Sequence, residues 1–367
     1  MAGIVEKYAK LLVEYCLELK AGERVLINSS YLAEDLVREL YRQVLLAGAH
    51  PELKIGVEGI EKIFYDTAND QQLAYVSPLT EYIMNNFEAI VNVLAPFNMK
   101  ELQNVPAEKK QKFNAARAGV NKVFMDRSAT RDLKWNLCVW PTSAAAQEAG
   151  MSLAEYQDFV FGACLLHEED PVQSWRQFGT WQQRITDALT GKDQIRFQGR
   201  DIDISFSAKG RKWINSAGTN NMPSGEVFTT PVEDSVNGHI RFSYPGIFMG
   251  EAIENIELEV KDGLVVGWHA AKGADLLDKV FDIPGARRFG EAAMGTNKRI
   301  DKFTRNMLFD EKIGGTVHMA VGAAIKETGG LNESSVHWDM LADMTDGGKI
   351  FADGELVYQD GEFLIGK

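Results

Sequence analysis

Arg24-Val25-Leu26-Ile27-Asn28 (RVLIN), the segment Ala33–Leu46 (AEDLVRELYRQVLL) and Glu52–Val57 (ELKIGV) together set the class of fold. RVLIN is a short apolar run of the kind that forms a buried strand. Ala33–Leu46 carries its apolar residues at helical spacing, and Gly48 punctuates its end. Glu52–Val57 then reads as a second strand. Working outward, Ile4, Tyr8, Leu11, Leu12, Tyr15 and Leu19 recur at helical spacing before the first strand, with Gly22 ending that helix. Thr80–Phe87 is helical, and Ala89–Leu94 (AIVNVL) is a third strand. Pro106–Ala118 is a polar helix, and Lys122–Met125 and Leu137–Trp140 are further strands. Strands alternating with helices predict a parallel sheet covered on both faces, a doubly wound-like α/β domain.

This half has no G-x-G-x-x-G after its first strand and no G-x-x-x-x-G-K-[ST], so nothing in it supports nucleotide binding. Met151–Ala188, with Trp175 and Trp181, is helical and closes the first domain or bridges to the next. Past Lys192 the grammar changes. Gln194–Phe197, Asp203–Ser207, Ile256–Val260 and Leu264–Trp268 read as strands, and Asp262-Gly263 between the last two is a hairpin signal. Asp346-Gly347, Asp353-Gly354 and Asp360-Gly361 separate KIFA, ELVYQ and EFLI, which predicts a short antiparallel meander. The 367 residues exceed what one hydrophobic core supports. The expected organisation is an α/β domain over 1–190 and a mixed α+β domain over 191–367.

A net charge of −13 and a pI of about 5.1 exclude nucleic acid as a natural partner. Lys109, Lys110 and Lys112 are a solvated helix face. Cys16, Cys138 and Cys164 are odd in number and widely spaced, which fits neither a disulfide framework nor a zinc ribbon and suits a reducing, cytoplasmic setting. No apolar run reaches membrane-spanning length, and the N-terminus lacks a signal-peptide core.

The chemistry-bearing residues gather late in the chain. His337 and Asp339 form H-W-D; in a strand these two side chains share a face, while Val336 and Trp338 take the other. His318 sits in the apolar Thr316–Gly322, entered through Gly314-Gly315. Glu226 follows Gly225 in NMPSGEVFTTP, where two prolines and a glycine restrict the backbone. Glu291 lies among small residues in FGEAAMG, and Glu311 follows Asp310 before the Gly-Gly turn. Taken singly, each has an ordinary structural explanation. Together, two imidazoles and several carboxylates without a thiolate suit zinc, cobalt or manganese. Paired ions of this kind serve hydrolases, and a further glutamate can relay a proton.

At these residues the sequence resembles the aminopeptidase T / aminopeptidase S family of dinuclear metallo-aminopeptidases. NMPSGEVFTTP, FGEAAMG, FDEKIGGTVHMAVG and NESSVHWDM, in that order, carry the likeness, which extends over most of the chain. The resemblance implies an α/β N-terminal domain, a mixed C-terminal domain with the metal site, and a homodimer with active sites facing an internal cavity. It implies two divalent metal ions held by Glu226, Glu291, His318, His337 and Asp339, with Glu291 bridging. It makes Glu311 a further ligand or the general base. The implied activity is removal of N-terminal residues from short peptides. One departure stands out: many members carry a tyrosine seven residues after the histidine matching His318, where this chain has Ile325. Isoleucine cannot donate to a developing oxyanion, and Lys326 or Tyr244 could substitute. The alternatives are a mononuclear iron ring-opening dioxygenase related to the same family and a non-catalytic metal-stabilised binding protein.

Overall fold

RVLIN lies inside strand Arg24–Ser30, next to one edge of a five-stranded sheet in the computed structural model, which describes residues 2–366. The strands run in the order His50–Gly56, Arg24–Ser30, Ala89–Leu94, Lys134–Val139, Asn221–Met222, and every neighbouring pair is parallel. Val25, Leu26 and Ile27 are all buried, as a run without alternation requires. Helix Glu34–Leu46 buries Leu36, Val37, Leu40 and Val44, its apolar stripe. Ser30 ends the strand and caps the following turn through its hydroxyl, which accepts from the Leu32 amide at 3.3 Å.

Two expectations are corrected. Lys122–Met125 is no strand; it lies within helix Ala118–Ala129, which continues from helix Ala107–Ala116. A four-residue run is too short for periodicity to separate strand from helix, and Met125 is exposed. Met151–Ala188 is two helices, Leu153–Ala163 and Pro171–Leu189. Ser152 and Glu155 form a capping box at the start of the first, and Leu165, at φ +57°, turns the chain between them.

The chain forms two compact units, Met1–Arg176 with Gly218–Pro223, and Gln177–Ala217 with Ser224–Lys367. The sequence grammar changes near Lys192, but the units divide earlier, inside helix Pro171–Leu189. The later part of that helix contributes Ile185 and Leu189 to the second unit's core.

The second unit holds an antiparallel eight-stranded sheet with Gln194–Gly199 and Ile202–Ser207 near its middle. Asp262 and Gly263, at φ +49° and +75°, make the expected hairpin between Glu257–Lys261 and Leu264–His269. The meander is present as Lys349–Ala352, Glu355–Gln359 and Glu362–Phe363. A second, five-stranded antiparallel sheet runs His337–Asp343, Thr316–Gly322, Phe289–Gly295, Glu226–Thr229, Ile214–Ser216.

The two faces of this smaller sheet are chemically different. Val227, Ala292, Met294, Val317, Met319, Val321, Trp338, Met340 and Ala342 join one core cluster with Phe197, Ile204, Phe206, Ile240, Leu258 and Ile350. The register assigns the opposite face: Glu291 pairs with Ala320 and Ala320 with Asp339, Ala293 pairs with His318, Gly295 with Glu226, and Gly322 with His337. Paired residues share a face and alternate ones do too, so Glu226, Glu291, His318, His337 and Asp339 all project from that face. A β-bulge interrupts the ladder between Phe289 and Glu291. No helix among the described residues is long and apolar enough to cross a membrane.

Candidate metal centre

Five side chains from four strands meet on the polar face. His337 Nε2 lies 3.1 Å from Glu291 Oε2 and 3.8 Å from Asp339 Oδ1. His318 Nε2 lies 3.6 Å from Glu291 Oε1 and 3.4 Å from Glu226 Oε2. Glu291 therefore sits between the two imidazoles, one carboxylate oxygen toward each. Two overlapping donor groups result, Glu226–Glu291–His318 and Glu291–His337–Asp339, each with its donor atoms within 4.8 Å of one another.

Local structure holds each donor. His337 Nδ1 lies 2.7 Å from the Ala323 carbonyl, to which it donates, leaving Nε2 for the cluster. Gln182, fully buried, donates to the Glu226 carbonyl at 2.8 Å and accepts from the Thr296 hydroxyl at 2.6 Å. Gly225 precedes Glu226 at φ +128°, and a Cβ there would lie 2.7 Å from Asn297 Cβ. Only glycine combines that conformation with that closeness.

The electrostatics describe a pocket of excess negative charge. Burial pushes the Glu226 carboxyl up to about 7, against the pull of Lys312. Burial and the Glu291 charge push Asp339 up to about 6. Burial also acts against ionised Glu291, but the two imidazoles outweigh it and hold that carboxyl at about 2. The histidines show the converse: burial disfavours their cations, yet the surrounding carboxylates raise His318 to about 9 and His337 to about 10. A cluster that draws protons onto both imidazoles is one that seeks cations.

Glu311 lies outside both donor groups, just past helix Met307–Asp310, and its Oε1 accepts a hydrogen bond from Lys312. Lys312 was not anticipated from the sequence. It is fully buried, and its Nζ lies 3.7 Å from Glu226 Oε1. The available signal was a lysine directly after Asp310-Glu311 and before Ile313-Gly314-Gly315, at the edge of an apolar strand. Of the two groups considered as stand-ins for a tyrosine, Lys326 is exposed on a short 3-10 turn, and Tyr244 stacks on Phe303 with centroids 5.4 Å apart. Ile325 is partly buried, and its amide donates to the Gly290 carbonyl at 3.3 Å, beside Glu291.

A model of the thermophilic metalloprotease family, M29, matches residues 2–363. The chain belongs to this family. Aminopeptidase 2 of Geobacillus stearothermophilus is 27% identical over 388 residues, covering 93% of this chain and 92% of that protein. Aminopeptidase T of Thermus thermophilus is 26% identical over 407 residues, covering 97% and 95%. The solved structure of wild-type AmpT from Thermus thermophilus superposes with a TM-score of 0.84, at 23% identity, over 98% of this chain and 99% of that one, a likeness that speaks to the fold. As an M29 metalloprotease the chain is a hydrolase that depends on a divalent metal. The five-residue cluster suits such an ion. His318 Nδ1 and Nε2 and Asp339 Oδ1 are buried with no hydrogen-bond partner, a costly arrangement that a bound cation at the cluster would relieve at donors facing it. None of these comparisons or contacts favours the dioxygenase alternative.

Proposed function

We propose that the chain is a metal-dependent aminopeptidase that releases N-terminal residues from short peptides at the polar face of the five-stranded sheet. The observation that carries this reading is the convergence of Glu226, Glu291, His318, His337 and Asp339 on that face, in a chain matched over residues 2–363 by a metalloprotease family. In this reading the five residues hold two divalent ions, zinc, cobalt or manganese, with Glu291 shared between them. The placement of Glu291 between both imidazoles supports the sharing. When bound, the ions supply Lewis acidity to the scissile carbonyl and to the attacking water. The protein's own residues do the rest. Ala323 orients His337 through its carbonyl, and Gln182 fixes the Glu226 backbone. Lys312 holds Glu311 Oε1, so Oε2 is the oxygen that takes the water's proton and passes it to the departing amine.

This assigns Glu311 as the general base, not a ligand. Wild-type protein loaded with zinc, cobalt or manganese is expected to cleave aminoacyl amides and dipeptides. Glu311→Gln should keep both ions by elemental analysis while kcat falls about 10²-fold or more. Loss of an ion in that variant would return Glu311 to the ligand set. Unchanged turnover would remove Glu311 as the general base, and absence of cleavage by two-ion wild type would end the peptidase reading in favour of the non-catalytic one.

Position 325 gives a second test. Its backbone lies against Gly290, next to Glu291. Ile325→Tyr would bring a phenolic donor beside Glu291, and a gain of about 10² in kcat with KM within a few-fold is expected. No gain would mean that another group already stabilises the oxyanion. The proposal includes a homodimer in the cytoplasm, supported by the four motifs and by three buried free cysteines, which suit a reducing compartment.

A further inference from the structure

Lys312 brings a positive charge into a cluster built to attract cations. Its side chain is fully buried. Its amide donates to the Phe309 carbonyl at 3.0 Å, and its carbonyl accepts from the Asn297 amide at 3.1 Å. With both peptide groups tied down, the ammonium is kept beside Glu311 and Glu226. Burying a lysine costs dearly unless it is paired, and these two carboxylates provide the pairing. The charge is not shared evenly over the cluster. Of the two donor groups, only Glu226–Glu291–His318 contains a carboxylate in ion-pair contact with Lys312, through Glu226 Oε1. Asp339 is near enough to favour the ammonium but, like Glu291, makes no ion-pair contact with it among the described residues.

We infer that Lys312 ranks the two metal positions: an ion on Glu291, His337 and Asp339 binds tightly and first, and an ion on Glu226, Glu291 and His318 binds weakly and exchanges. This rests on the two-ion reading above. The cause is direct competition. Lys312 occupies one oxygen of Glu226 and repels a divalent cation drawn to the other. Lys312 is thus a positioning residue that leaves one ion firmly bound and the other labile.

The test is calorimetric titration of zinc into metal-free protein at about pH 8, in a buffer of known ionisation heat because zinc displaces protons from its ligands, with bound metal counted by elemental analysis. Wild type is expected to bind in two steps at least about tenfold apart, the scale of one poorly screened charge contact. His318→Ala should remove the weaker step and His337→Ala the tighter one. Lys312→Met should tighten the weaker step about tenfold or more and leave the tighter step within about threefold, while Lys312→Arg keeps the gap. The inference is overturned if folded Lys312→Met shows the weaker step unchanged or weakened, or if His318→Ala abolishes the tighter step. The histidine pair tests the order of binding even if Lys312→Met does not fold. If wild type and Lys312→Met both bind a single ion, the two-ion reading and the ranking fall together; two equal steps in both variants remove the ranking alone.

Discussion

Replacing Glu291 by alanine is expected to cost more activity than any other single change in the cluster. Glu291 belongs to both donor groups, so its loss strips a ligand from each, whereas His318→Ala or His337→Ala strips one. It also removes the carboxylate that holds His318 and His337 toward their cationic forms. Transition-state stabilisation of several kcal/mol is at stake, and each ~1.4 kcal/mol is tenfold, so kcat/KM should fall on the order of 10³–10⁴. Both zinc-binding steps should weaken by about 10²-fold or more. The variant should still fold, because the opposite face of the sheet, with Ala292 and Met294, keeps its packing. Steady-state kinetics beside a zinc titration reads this. A Glu291→Ala protein that keeps two ions and more than about a tenth of its turnover would remove Glu291 as the shared ligand.

Gly290→Ala is the second large effect, and it acts through backbone. A Cβ at 290 would lie 2.1 Å from the Ala323 carbonyl oxygen and 2.6 Å from its carbon. Neither is the end of a flexible side chain, so the strand or the 323 segment must move. The same carbonyl fixes the ring of His337. Overpacking against backbone costs about 1–3 kcal/mol, and this contact should lie at the upper end. Urea unfolding of the metal-free protein should show that loss, and zinc affinity should fall by a further ~10-fold or more as His337 turns away. Wild-type stability together with wild-type zinc affinity would show that the close approach is no constraint.

Much of this was legible in the sequence, for reasons that differ by element. RVLIN could be read because a strand covered on both faces needs no alternation. The Asp-Gly pairs at 262–263, 353–354 and 360–361 could be read because left-handed φ at two successive residues has few chemical solutions. H-W-D could be read because period two places His337 and Asp339 on one side and sends Trp338 into the core, where it is 3% exposed. Lys122–Met125 failed because its four residues span barely one helical turn, too few to show a period. The grouping of Glu226 with His318 was not readable locally, since it depends on the register of three strands far apart in sequence. Lys312 escaped notice because a charged residue after a glutamate looks like surface until the buried carboxylates facing it are known.

The bulge at Phe289–Glu291 carries a consequence of its own. In a regular strand these two residues would share a side. Either the phenyl ring would stand among the metal-binding side chains or the carboxylate would be pressed into oil. Here Phe289 pairs with Val321 and Glu291 with Ala320, neighbours on opposite sides of the sheet. Gly290 is the spare residue that lets the chain change parity. One strand can thus begin as part of a greasy interior and finish as part of a reaction vessel. Each half can accept substitutions to suit its own surroundings without dragging the other with it.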